Sequence, residues 1–133
     1  MRLATGTFLV REMSGGRAKL RVENGLDLDA VVALCLADEP NIPLLAVYIQ
    51  SEDSYTIGGI KGGTYVLYFA VGKDWDDGSK KFLSEASYEL FEDEFKFIST
   101  QSKYTKWTVS LHPVVGVTAA TKPVSKDEFP GLS

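Results

Sequence analysis

Residues 58–72 read GGIKGGTYVLYFAVG, a glycine-rich turn followed by a run of aromatic and β-branched side chains. Glycine disfavours a helix at the start of this segment, and the residues after it favour an extended strand. Side chains alternate between the two faces of a strand, and in this run both alternating sets are apolar. One set is Tyr65, Leu67, Phe69 and Val71, and the other is Val66, Tyr68 and Ala70. The pattern predicts a strand covered on both faces, either in the middle of a β-sandwich or in a sheet with a long segment across its outside.

Strand patterns recur at short spacing on both sides of this central run, with turn residues between them. We predict further strands at residues 5–11, 17–23, 30–37, 44–50, 55–57 and 104–112. Residues 17–23 alternate between apolar and charged side chains, as in an antiparallel strand with one solvated face. Residues 30–37 are apolar at nearly every position, which indicates a second strand covered on both faces. The dipeptide of Asn24 and Gly25 tolerates positive φ and predicts a tight reversal of the chain.

Two segments do not follow this alternation. The apolar residues within 82–97 fit neither a helical nor a strand period, so we expect a loop that crosses the sandwich and ends in a short strand. The tail over 114–133 is expected to be mostly irregular, although Ser125 and Glu128 have capping-box spacing and predict one helical turn. Together these patterns predict an all-β fold, an antiparallel β-sandwich of about seven to eight strands in a single domain over residues 1–133. The predicted domain also contains a long crossing loop and an irregular C-terminal tail.

Length, composition and charge exclude several classes of protein. A chain of 133 residues with 44% hydrophobic and 24% charged residues is long enough to bury its own core and is too apolar for a disordered protein. Its apolar runs stop short of the roughly 20 residues needed to cross a bilayer, and its N-terminus lacks the apolar core of a signal peptide. We expect no membrane insertion, and a cytoplasmic location for the chain as it stands, or the cell envelope or exterior if a leader was removed. The net charge of −4 argues against nucleic acid.

The residues that most enzymes use are scarce in this chain. The only cysteine, Cys35, lies in an apolar run and is expected to be a small buried hydrophobe without a disulfide. The only histidine, His112, is expected to be a polar strand-end residue, with a general base or metal ligand as the alternative. No serine lies in a G-x-S-x-G motif, and the glycine-rich loop lacks the lysine position of a phosphate-binding loop. The sequence therefore predicts no catalytic set, and a pair of opposed carboxylates in a cleft is the remaining way to build a hydrolase.

The sharpest candidate site is the acidic stretch DWDDG at residues 74–78. Asp74, Asp76 and Asp77 are candidate metal ligands, because closely spaced carboxylates can gather oxygen ligands around calcium. Trp75, Asp76 and Asp77 are candidate ligand-binding residues, because an exposed tryptophan among carboxylates suits stacking on a sugar ring or anchoring of a protein interface. The alternative is a solvated turn in which the carboxylates bond their own backbone and Trp75 folds over the end of the sandwich as a plug.

Two resemblances to known families accompany these patterns. Residues 57–67, IGGIKGGTYVL, resemble the start of a strand in prealbumin-like sandwiches, such as carboxypeptidase regulatory domains. A larger part of the chain resembles an uncharacterised bacterial all-β family of prealbumin-like or immunoglobulin-like sandwiches. That resemblance covers LRVENGLDLDAVVAL at 20–34, GTYVLYFAVGKDWD at 63–76, WTVSLHP at 107–113 and DEFP at 127–130. It implies a domain appended to larger bacterial proteins, often of the cell envelope, and it implies no activity and no site residues.

These observations lead to two functional expectations. The first is a non-catalytic β-sandwich that recognises a protein partner, without a cofactor. The second is a carbohydrate- or calcium-binding module that uses the turn over residues 74–77.

Overall fold

The computed structural model describes residues 2–111 and 121–132, and in this part of the chain ten strands form two sheets without any helix. The first five are β1 (Thr7–Arg11), β2 (Ala18–Asn24), β3 (Asp29–Leu36), β4 (Pro43–Ile49) and β5 (Ser54–Ile60). The others are β6 (Gly63–Asp76), β7 (Lys81–Phe91), β8 (Phe95–Phe97), β9 (Lys106–Leu111) and β10 (Thr121–Pro123). The predicted all-β sandwich is confirmed, with ten strands rather than about seven to eight. No helix in these residues offers the length and apolar character needed to cross a membrane.

The large sheet has the strand order β1-β4-β3-β6-β7-β10, and β8 also pairs with β6. The small sheet has the order β5-β2-β9. Strand β6 contains the predicted central run and pairs with β3, β7 and β8. All the pairings within the large sheet are antiparallel, whereas β2 and β9 run parallel to each other in the small sheet. The sandwich is therefore antiparallel except at this one edge.

Both faces of the large sheet are covered, as the apolar pattern of β6 predicts. Its inner face packs against the small sheet, where Leu20 and Val22 of β2 are buried together with Leu67 of β6. Its outer face carries a second apolar cluster, which includes the buried Cys35. The C-terminal segment lies over that outer cluster and contributes Leu132. The central strand is thus covered in both of the predicted ways. It lies in the middle of a sandwich, and a long segment crosses the outer face of its sheet.

The crossing loop expected over residues 82–97 is not observed, because most of this segment is the long strand β7. The pairing of β7 with β6 shifts register beside Val71, and Glu85 has a positive φ of 51°. Such an irregularity interrupts the two-residue period. In addition, Leu83 is exposed although it is apolar. These features explain why the apolar residues fit no single period. The short strand expected at the end of the segment is present as β8.

The predicted turns differ from the structure in detail. Gly58–Ile60 belongs to β5, so the glycine-rich turn is confined to the residues between β5 and β6. Asn24 and Gly25 do not close a hairpin, because they begin the passage from β2 in the small sheet to β3 in the large sheet. The described part of the tail, residues 121–132, is irregular apart from β10, which pairs with β7. Ser125 and Glu128 form the predicted reciprocal capping bonds, each 3.2 Å, but they close a turn and not a helix.

Candidate functional site

Trp75 is buried on the outer face of the large sheet, with 3% of its surface exposed. Its ring packs edge-on against Tyr48 and Phe82, at centroid distances of 5.6 and 5.0 Å. Of the two alternatives for this residue, burial is the one observed, and the expectation of an exposed stacking ring is wrong. A sugar ring therefore has no free tryptophan face at residues 74–77.

A backbone irregularity at Asp74 explains the burial of Trp75. Val71 belongs to the inner apolar cluster and Trp75 to the outer one. Residues four positions apart share one face of a regular strand. Asp74 has a left-handed φ of 57°, which lets the strand continue while the following side chains change face. The residue type that we interpreted as part of a turn is thus a left-handed residue inside β6, close to the point where the pairing of β6 with β7 shifts register.

The three aspartates of this stretch do not converge on a common point. The side chain of Asp76 accepts hydrogen bonds from the Ser79 hydroxyl at 2.5 Å and the Ser79 amide at 3.1 Å. Asp77 accepts from Lys80 Nζ at 2.9 Å and from Trp75 Nε1 at 3.4 Å. The pKa of Asp76 lies below its ordinary value because Ser79 donates to it, and the pKa of Asp77 is lowered first by Lys80 and then by Trp75.

Within the described ranges, no group of three His, Cys, Asp or Glu side chains is arranged to hold a metal ion. Of the expected calcium ligands, Asp76 and Asp77 are bonded within the turn that joins β6 to β7, and Asp74 lies inside β6. This is the solvated-turn alternative considered for the sequence.

A second polar cluster fastens the N-terminus to the large sheet. Asp29 accepts hydrogen bonds from Tyr48 Oη at 2.6 Å, from the Ser51 amide at 2.8 Å and from Arg2 Nε at 3.0 Å. Burial raises the pKa of Asp29, but the hydrogen bonds from Arg2, Tyr48 and Ser51 outweigh it and hold the pKa below its ordinary value. Burial, followed by the bond to Asp29, raises the pKa of Tyr48. Because the carboxylate is engaged by three donor groups, this cluster is a structural fastening.

The single thiol shows no sign of activation. Burial raises the pKa of Cys35 to about 12, so the thiol remains protonated at neutral pH. His112, the candidate base, lies outside the described residues. The described carboxylates include Asp53, which lines a shallow pocket with Glu23 and Glu52. The pKa of Asp53 is lowered by hydrogen bonds from Thr5 and Ser54, which is the opposite of what a general acid requires.

The most distinctive surface is a hairpin at residues 95–107, which we call the basic hairpin. Its two arms are joined by hydrogen bonds from the Thr105 amide to the Ile98 carbonyl and from the Ile98 amide to Thr105 Oγ1, each 2.8 Å. At its tip, Thr100 Oγ1 accepts from the Lys103 amide at 3.0 Å. Arg17 ties the hairpin to the start of β2, because its amide donates to Ser99 Oγ at 2.8 Å. The basic hairpin is therefore a braced element and not a free loop.

Three of the five large apolar residues exposed in the described part of the chain lie on the basic hairpin. They are Ile98 and Tyr104, each 50% exposed, and Trp107, 38% exposed. The Trp107 ring is fixed, since its Nε1 donates to the Lys96 carbonyl at 2.9 Å and its edge packs on Phe95 at 5.4 Å. The hairpin thus holds aromatic surface in water in a defined orientation.

The charge of the basic hairpin is opposite to that of the whole protein. Residues 95–107 include Lys96, Lys103 and Lys106 and contain neither aspartate nor glutamate. Arg17 adds a charge beside the tip, where its Nη1 donates to the Gln101 carbonyl at 3.0 Å. The whole chain, by contrast, carries a net charge of −4. An acid-free, lysine-rich stretch in an acidic chain is a signal that the sequence itself contains.

Comparisons with protein-family models, curated proteins and solved structures give no significant match to this chain. The functional inference rests on the side chains of the protein itself.

Proposed function

We propose that this protein is a non-catalytic β-sandwich module that binds a protein partner through the basic hairpin. The observation that carries this proposal is the Trp107 ring, which is held in place yet 38% exposed, on the same lysine-rich hairpin as the 50% exposed Tyr104. Trp and Tyr are enriched at the energetic centres of protein interfaces.

The rigidity of the hairpin favours recognition by preformed contacts. A surface that is already ordered loses less conformational entropy when a partner covers it. Trp107 is oriented by its bond to the Lys96 carbonyl, and the tip is held by Thr100. Binding therefore requires little reorganisation on this side of the interface.

The lysines define the chemistry of the partner. Lys96, Lys103 and Lys106 belong to the same hairpin as the exposed apolar residues, and residues 95–107 contain no carboxylate. Charge complementarity across an interface speeds association and excludes partners of like charge. We expect a partner surface with acidic residues around an apolar centre.

A protein partner fits these features better than a sugar does. The carbohydrate alternative depends on an exposed ring at Trp75, and that ring is covered by Tyr48 and Phe82. Calcium recognition depends on convergent oxygen ligands, and Asp76 and Asp77 are instead bonded to Ser79 and Lys80 of their own turn.

The finer assignment to prealbumin-like or immunoglobulin-like sandwiches of bacterial proteins belongs to the same proposal. The two-sheet all-β fold supports it, and so do the sequence segments that resemble the bacterial family. That assignment is compatible with a domain that serves recognition within a larger protein.

Paired substitutions on the surface test the proposal. The partner is isolated from cells that naturally produce the protein, and its dissociation constant is then measured with purified components. Replacing Ile98 and Tyr104 with serine should weaken binding at least tenfold. The matched control replaces Ile42 and Leu83, the two large apolar residues exposed elsewhere in residues 2–111 and 121–132, with serine and should leave binding unchanged.

Salt dependence supplies a second test with the same components. If the lysines face acidic residues, charge reversal by Lys96→Glu and Lys106→Glu should slow association and reduce its dependence on ionic strength. A partner that binds the serine variant of Ile98 and Tyr104 as tightly as the wild type would contradict the assignment of the site.

A further inference from the structure

A pocket of about 260 Å³ lies where the C-terminal segment crosses the end of the hairpin between β6 and β7. Its apolar walls come from Trp75, Phe82, Tyr88, Phe129 and Leu132. Pockets for drug-sized ligands typically hold roughly 300–1,000 Å³, so this one suits a smaller molecule. It is separate from the basic hairpin, since the two sets of residues do not overlap.

The walls of the pocket are fixed from several directions. Phe129 packs against Tyr88 at a centroid distance of 5.3 Å and edge-on against Tyr68 at 6.1 Å. The capping bonds between Ser125 and Glu128 direct the chain toward that contact. The pocket is therefore part of the folded structure of the tail.

The charged residues around the pocket are mainly cationic. Lys80, Lys81 and Lys126 line it, together with a single carboxylate, Asp127. Lys80 is already paired with Asp77 at 2.9 Å. The ion pairs found in the described part of the chain do not include Lys81 or Lys126.

Asp76, which pairs with Lys81 across the strands, is already bonded to other groups. Asp76 is the carboxylate whose pKa Lys81 lowers slightly, but the main donor to Asp76 is Ser79, through both its hydroxyl and its amide. Lys81 and Lys126 are therefore two ammonium groups beside an apolar pocket with a single facing carboxylate.

We infer that this pocket binds a small amphiphilic carboxylate, with the apolar body between Phe82, Tyr88 and Phe129 and the carboxylate toward Lys81 and Lys126. Burial of the apolar body removes hydrocarbon surface from water. A charge-assisted hydrogen bond to an ammonium group orients the carboxylate. This inference is independent of partner binding at the basic hairpin.

Tryptophan fluorescence can report on the pocket directly. The chain has two tryptophans, so a Trp107→Phe variant leaves Trp75 as the only reporter. Octanoate, octanol and octylamine, which share chain length and differ in charge, are titrated below their aggregation limits. We expect a saturable change with octanoate, at least tenfold weaker binding of octanol, and the weakest binding of octylamine.

Paired lysine variants separate the pocket from general charge effects. Lys81→Ala with Lys126→Ala should weaken octanoate binding at least tenfold and leave octanol unchanged. Lys96→Ala with Lys106→Ala, on the basic hairpin, should change neither. Chemical-shift changes at Phe82 and Phe129 of the wild-type protein provide the same test without the reporter variant. The inference is overturned by the absence of saturation with octanoate, by octylamine binding equally well, or by an unaffected double lysine variant.

Discussion

Replacing Asn24 with alanine or aspartate tests how the two sheets are joined. Asn24 is 2% exposed and is the only fully buried polar side chain in the described part of the chain. Its amide nitrogen donates to the carbonyls of Leu28 at 3.0 Å and of Ile49 and Gln50 at 3.2 Å each. Its oxygen accepts from the Leu26 amide at 3.0 Å. One side chain at the end of β2 thus connects the small sheet to the end of β4 in the large sheet.

The magnitude follows from these four hydrogen bonds. The amide nitrogen carries two hydrogens, so its three donor contacts count as two full bonds, and the bond from Leu26 makes a third. At about 1 kcal/mol each, Asn24→Ala is predicted to lower the free energy of unfolding by about 3 kcal/mol. Aspartate keeps the acceptor for Leu26 but turns a second oxygen toward three carbonyls. At neutral pH we expect Asn24→Asp to be less stable than Asn24→Ala, because a buried carboxylate facing carbonyls is costly.

The pH dependence has a definite sign. Burial and the facing carbonyls raise the folded-state pKa of a carboxyl group at position 24. The destabilisation of Asn24→Asp that comes from the charged carboxylate is therefore absent below about pH 3.9, the pKa of aspartate in the unfolded state. It grows as the pH rises above that value. Urea unfolding at pH 4 and pH 7 measures this difference, with the exposed Asn41→Asp as the matched control. An Asn24→Asp variant as stable as the wild type at pH 7 would show that Asn24 does not join the sheets.

Three further predictions concern the fastenings of the large sheet. Because the pKa of Asp29 is lowered in the folded state, the stability of the wild-type protein should fall as the pH drops below about 4. Urea unfolding should show Asp29→Asn to be less stable than the wild type at pH 7, with a smaller change in stability between pH 7 and low pH. Trp75→Ala should cost about 3–5 kcal/mol in calorimetry or urea unfolding, because it empties a packed aromatic cluster, while Leu83→Ala on the exposed side should cost under about 0.5 kcal/mol. Ser125→Ala should lower the local stability of the tail by about 1 kcal/mol, seen as faster amide hydrogen exchange at Glu128.

The strands with uninterrupted alternation are the part of the fold that the sequence predicts well. In β2, the inward residues Leu20 and Val22 are flanked by charged ones, so the buried face is visible in the sequence. In β3 and β6 both faces are apolar, and both are covered. The alternation of apolar and polar residues along a strand indicates which of its faces are buried. These strands could therefore be predicted without knowing which strands pair with them.

The errors arise where the backbone departs from the two-residue period or where pairing is non-local. The left-handed conformation of Asp74 cannot be distinguished from a turn by residue type, because aspartate favours both. The parallel pairing of β2 with β9 joins segments far apart in sequence, and neither strand carries a local mark of its partner. The burial of Trp75 is hidden from the sequence for the same reason, since it depends on Tyr48 and Phe82, which only the folded chain brings beside that ring.

The two tryptophans show why the exposure on the basic hairpin carries functional meaning. Single exposed apolar residues are ordinary on protein surfaces, and Ile42 and Leu83 need no special explanation. Trp107 differs because its Nε1 is bonded to the Lys96 carbonyl and its ring packs against Phe95. These two contacts hold the rest of the ring in a fixed position in water. The same chain buries Trp75 against Tyr48 and Phe82, so the fold is capable of covering a tryptophan almost completely. An aromatic ring that is braced and left open in a lysine-rich hairpin therefore supports the proposal that a partner covers it.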